Sequence, residues 1–309
     1  MKSQRLTYVD VTKGIAMLLV VMHHCGGSLD SGMTILTMTD VPLFFLCSGY
    51  LAYKTKIDYT KEFLKKSKGL LIPFVLALLF VAFVRHLSPI TIFLTDITKS
   101  GYWFLEALYI IFVLYWGISL FRTKRLLYFT SAVSIEIVLL IAAKYSPETI
   151  DNTFCFSSLS RYFPCFMAGV YLREYKNLSS YISEYKSIGM ILLLLSAIGF
   201  IYKFSSSNIS FIAYLVAYST SAILLFLFIM HNEDRLPKVI NTQLCVIGKY
   251  SLNIYIIHFF LVPTIPYFMP QTFVGDFIYS LSLSIIIAYL SILIGKFLTY
   301  STPLDKILR

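Results

Sequence analysis

What most constrains this chain is a succession of apolar runs, each close to the length of a membrane-spanning helix and separated by short, Lys- and Arg-rich connections. A spanning helix needs about 20 mostly apolar residues. Ten runs approach that, near residues 11–25, 33–53, 69–86, 102–121, 126–143, 154–172, 187–202, 209–230, 247–264 and 277–299. They are too long, and too uniformly apolar, for the alternating strands of a membrane barrel. The expected fold is therefore all-α, a polytopic membrane helix bundle of about ten transmembrane helices. Composition closes off the soluble alternative: 58% of the 309 residues are hydrophobic and 14% charged, against about 25% charged in a soluble domain. With 17% aromatic residues and only 14 Gly, neither disorder nor collagen fits.

The net charge of +10 invites a nucleic-acid reading, but the positions of the cations argue for a membrane. With a cytoplasmic N-terminus, the connections on that side carry twenty Lys and Arg, and the opposite side carries four, Arg85, Lys99, Lys144 and Lys203. Lys13 and Arg161 lie within runs. Such a bias is the signature of cytoplasmic loops, and a single missed helix would scramble it. Both termini are then cytoplasmic. Residues 1–309 are read as one integral-membrane domain, and the first run, with Asp10 and Lys13 at its start and no small-residue cleavage site after it, as a retained helix. The 54–68 connection reads as a positive-inside anchor or as a segment lying on the anionic inner surface. The five Cys are scattered without a CxxC pair and are expected to be packing thiols. No metal site is expected, because no two His share ligand spacing on one helix face.

Ionisable groups at membrane depth cost about 2.5–3.5 kcal/mol each on insertion scales, and so point to function. Lys13 and His24 are eleven residues apart, about 1100° of helical rotation, or three turns and roughly 20°, with an axial separation of about 16 Å. They share a face with Asp10 and Met17, while His23 points about 100° away. The same residues also suit a plainer reading, with Asp10 and Lys13 as interfacial anchors and His24 as a helix end. Asp40, Glu106 and His258 fall at similar depth toward the outer side. Asp40 also suits a helix N-cap ahead of Val41-Pro42, and Glu106 and Arg161 also suit a buried ion pair with each other or with Lys.

Five segments then share a pattern. Asp10 and Lys13-Gly14 are followed, after ten intervening residues, by His24. Pro42-Leu43-Phe44-Phe45-Leu46-Cys47-Ser48-Gly49-Tyr50 lies on the second run, Tyr102-Trp103-Phe104-Leu105 on the fourth, Arg161 to Gly169 on the sixth, and Ser251-Leu252-Asn253-Ile254-Tyr255-Ile256-Ile257-His258 on the ninth. In order and spacing the chain resembles the membrane acyltransferase-3 family, with Lys13 where that family usually has Arg. Lys keeps the charge but not the planar fork of Arg.

The resemblance implies an enzyme of the bacterial cytoplasmic membrane that moves an acyl group, usually acetyl from cytoplasmic acetyl-CoA, to a hydroxyl of a cell-surface or lipid-linked glycan. Acyl transfer needs a base, stabilisation of the tetrahedral oxyanion and a donor site. On that reading His24 is the base, Asp40 or Glu106 orients it, and Arg161 polarises the thioester or holds the acceptor. Lys13 with Asp10, and Arg122, Lys124 and Arg125, meet the CoA phosphates. Ser48, Trp103, Tyr255 and His258 line the substrate path. The rival class is a transporter or flippase, which predicts inverted repeats and paired broken helices; only the Pro-interrupted second run hints at one.

Overall fold

The computed structural model describes residues 6–25, 39–175, 211–262 and 272–301, and every regular element among them is helical. In chain order these are α1 (Thr7–Cys25), α2 (Asp40–Ala52), α3 (Tyr59–Lys66), α4 (Ile72–Arg85), α5 (Pro89–Thr95), α6 (Trp103–Ser119), α7 (Arg125–Tyr145), α8 (Glu148–Phe154), α9 (Phe156–Glu174), α10 (Phe211–Asn232), α11 (Lys238–Lys249), α12 (Ser251–Leu261) and α13 (Phe273–Ser301). By internal packing the chain divides into two compact units, Met1–Leu51 with Ala168–Leu298, and Ala52–Met167 with Thr299–Arg309.

Four stretches are long and apolar enough to cross a membrane on their own: Tyr59–Arg85, Arg125–Tyr145, Val216–Arg235 and Val274–Leu298. α11 and α12 together qualify as a fifth, bent by 79° at their junction, and α2 and α6 are shorter apolar helices. These features define a multi-pass membrane protein. The run expected at 187–202 lies outside the described residues, as does the 33–38 part of the second run.

Two boundaries differ from expectation. The 54–68 connection is largely helical: Asp58 caps α3 by accepting the amide of Lys61 at 3.1 Å, and a π-turn over Ser67–Leu71 joins α3 to α4. Hydropathy misses this extension because half of the α3 residues are charged. The single span expected at 247–264 is broken at Tyr250, and its first residues belong to α11, whose sequence KVINTQLCVIGK is too polar to register as a span.

In the first unit α1 and α11 are held at close range by glycine. A methyl group on Gly14 would lie 2.2 Å from the Leu244 carbonyl oxygen, and one on Gly248 would lie 1.9 Å from that of Asp10. Small residues of this kind allow two helix backbones to approach in a bilayer. Gly169 of α9 faces the Leu46 carbonyl of α2 in the same way. α1 is consequently buried on most of its circumference, from Val9 through Met17 to Cys25.

The second unit is tied by aromatic and hydroxyl contacts from α3 and the π-turn to α6. Tyr59 and Ser119 share a hydrogen bond at 3.2 Å and Ser67 and Tyr109 one at 3.0 Å, and the Lys66 ammonium sits 3.8 Å from the Phe112 ring centre. α5 and α8 are joined through Lys99, a residue expected in an outer loop. It is fully buried, and its Nζ donates to the carbonyl oxygens of Phe93 and Asn152.

Candidate functional site

α1 runs unbroken from Thr7 to Cys25, the condition under which Lys13 and His24 share a face. Asp10 and Lys13, both half-buried, lie within electrostatic reach of the Cys47 thiol of α2. At the other end of α1, the imidazole of His24 packs against two residues of α12. Its ring centre is 4.8 Å from that of Phe259 and 5.4 Å from that of His258. Phe259 lies 4.1 Å from His258, and Tyr255 closes the group at 5.9 Å from His258. α12 thus presents Tyr255, His258 and Phe259, three and four residues apart and so on one face, to the end of α1. His24 is half-buried and His258 wholly buried.

Asp40, the first residue of α2, accepts the amide of Val41 through Oδ1, and its Oδ2 is 3.8 Å from Nδ1 of His23. The imidazole recorded beside this carboxyl is therefore that of His23, which the rotational argument had set aside. The Oδ1 bond goes to the very next amide, not to the second or third of the helix as that of an N-cap would. Ser48 is half-buried on α2.

Glu106, Arg161 and Trp103 belong to the second unit, together with Arg122, Lys124 and Arg125. Glu106 is buried on α6, where the Cys155 thiol donates to its Oε2 at 3.6 Å and Lys99 is within electrostatic reach. Arg161 lies 6.0 Å from the ring centre of Tyr162, which stacks on Trp103 at 5.5 Å. The Arg122 guanidinium bonds the carbonyls of Lys54 (2.6 Å) and Thr55 (3.0 Å) and lies over Tyr53. This ties the chain after α2 to that after α6. Lys124 and Arg125 are exposed at the start of α7.

Sequence reasoning missed three features. Arg173 donates to the Tyr50 hydroxyl at 3.0 Å, which shares a 2.6 Å hydrogen bond with Tyr8, and both tyrosine rings pack on Phe226. In the sequence Arg173 counts only as one of the twenty cytoplasmic-side cations, although a basic residue ending an apolar run was the available signal. Both carboxyl oxygens of Glu136, in the middle of α7, are buried with no hydrogen-bond partner among the described residues. A lone Glu inside an apolar run would have flagged it. The third is the burial of Lys99, whose partner Asn152 is too distant in sequence to be foreseen. The five Cys are all free thiols.

A multi-pass protein, all-helical among its described residues, in which a half-buried imidazole meets a wholly buried one among aromatic rings is the class that fold and site define. The chain matches the acyltransferase 3 family, described as an acyltransferase domain, over residues 6–300, and belongs to it. No curated protein and no solved structure matches the chain.

Proposed function

We propose that this acyltransferase moves an acetyl group from cytoplasmic acetyl-CoA to a hydroxyl of a cell-surface or lipid-linked glycan, in the cytoplasmic membrane of a bacterium. The observation that carries the reading is the His24–His258 pair in a family of acyltransferases. A hydroxyl attacking a thioester must lose its proton, and imidazole is the side chain best suited to take one near neutral pH. His24, the more accessible ring, meets the reacting groups. Lys13 stands about 16 Å and Asp10 about 21 Å away along α1, with the Lys13 ammonium toward the phosphates of the donor. The half-buried Ser48 and the aromatic Tyr255 line the acceptor path in the same unit. Within the second unit, Glu106, Arg161 and Trp103 are the groups proposed to meet substrate, and Arg122, Lys124 and Arg125 supply positive charge that attracts CoA.

The test is incorporation of label from [14C]acetyl-CoA into glycan by membranes carrying wild-type protein or His24→Ala at equal abundance. A large loss in rate is expected, because the variant removes the accessible member of the imidazole pair. Wild-type rates in the variant would remove His24 from the chemistry. Lys13→Ala should raise the Kd for acetyl-CoA, and Lys13→Arg should restore it. A transporter would instead move substrate across the bilayer without labelling it.

A further inference from the structure

Within the acyltransferase reading, the geometry points to His258 as the base: its Nε2 accepts the proton of the attacking hydroxyl. His258 is 0% exposed, and its Nδ1 lies 3.0 Å from the Ile254 carbonyl oxygen. A carbonyl oxygen only accepts, so Nδ1 carries the hydrogen. In a neutral imidazole the other nitrogen is then a bare lone pair. That atom, Nε2, is buried and has no hydrogen-bond partner among the described residues. The reverse tautomer would set a lone pair against the carbonyl oxygen and leave a buried N–H without an acceptor. Buried polar atoms in native proteins are nearly always paired, so an orphaned acceptor among aromatic walls marks the place of an absent donor. The ring is held on both sides, by the i−4 carbonyl and by contact with Phe259 at 4.1 Å.

The half-buried His24 leads to it, with ring centres 5.4 Å apart. A hydroxyl reaching the pair passes the accessible ring and finds its acceptor on the enclosed one. The step balances without further reagents. The hydroxyl proton moves to Nε2, its oxygen bonds the thioester carbonyl carbon, and the carbon–sulfur bond breaks. The proton then passes from the imidazolium to the departing sulfur, which leaves an ester, a free thiol and a neutral ring. The arrangement was not visible in the sequence, where His258 reads only as a lining residue.

His258→Asn retains an amide N–H for the Ile254 carbonyl and deletes Nε2; His258→Gln retains a polar but non-basic group near the Nε2 position. With purified wild-type and variant protein in liposomes containing the cell's own lipid-linked glycans, both substitutions should lower kcat for transfer from [14C]acetyl-CoA by about 10²–10⁴-fold, with KM for the donor unchanged. An unchanged kcat, or a loss confined to KM, would overturn the inference. A second measurement needs no variant activity. In 15N-histidine-labelled wild-type protein, with the His258 signals assigned by their absence from either variant, Nδ1 should be protonated and Nε2 bare. A protonated Nε2 beside a bare Nδ1 would sink the base assignment. Wild-type protein that transfers no label would instead defeat the acetyl-to-glycan reading on which the assignment rests, and the nitrogen spectrum tells the two failures apart.

Discussion

Single residues in this protein are defined by where their polar atoms go. Lys99 has φ 48° and is followed by Ser100 at φ 54°, a left-handed pair that is costly for residues with a Cβ. Asp96 holds that turn. Its Oδ1 accepts the Thr98 amide (2.9 Å) and hydroxyl (2.6 Å), and its Oδ2 accepts the Ser100 amide (2.7 Å) and hydroxyl (3.0 Å). Burial alone would raise the Asp96 carboxyl, but these four bonds outweigh it and hold the group below its ordinary value. A depressed carboxyl stabilises the fold fully above its unfolded pKa of about 3.9 and loses that contribution as pH falls through the lower, folded value. Amide protection at Thr98 and Ser100, read as the exchange rate relative to that of an unstructured amide at the same pH, should therefore persist at pH 5 and be lost only in stronger acid, whereas Asp96→Ala should abolish it at every pH. Lys99→Ala deprives two carbonyls of a buried donor, at roughly 1–3 kcal/mol for each group left unsatisfied, and should lower the Tm in detergent. None of this was legible: a Lys beside Thr-Asp and Ser-Gly reads as a solvated loop. The shared face of Lys13 and His24 was legible, because the rotation between two residues on one unbroken helix depends on nothing beyond that helix.

Among the elements, α1 and α11 show where hydropathy succeeds and fails. α1 announced itself by its apolar run and its internal charges. α11 did not, because its stability comes from packing on α1 and its polar residues hide it from any search for lipid-compatible segments. The glycine contact makes a sharp prediction. Gly248→Ala places a methyl where a carbonyl oxygen already lies 1.9 Å away, so the helices must part. Overpacking of this kind costs about 1–3 kcal/mol; the variant should show a lower Tm and weaker transfer, while Gly117→Ala on α6, with open space around it, should leave both unchanged. Gly14 entered the sequence reading only beside Lys13 in the family pattern, and nothing there named residues 238–249 as its packing partner.

At the scale of the molecule, the twenty-to-four division of cations sets the proposed sidedness. Lys56, Lys124 and Lys144 are all exposed, so single cysteines at these positions, on a background lacking the native five, provide the measurement. Lys144→Cys should react with a membrane-impermeant maleimide in intact cells, and Lys56→Cys and Lys124→Cys only after lysis; the opposite pattern would invert the topology. The all-helical class, the membrane setting and the family were readable from apolar length, charge bias and five short motifs. The internal division into two units was not, because α2 and α9 each run through a boundary without a change in composition. The glycine seam between α1 and α11 also has a consequence for biogenesis. The ribosome completes the first helix at residue 25 but does not begin its companion until residue 238, a delay of about 10–40 s at about 5–20 residues per second. Through that interval the nascent chain holds a charged segment whose neighbour has yet to be made, and a translocon or insertase must shelter it until the seam can close.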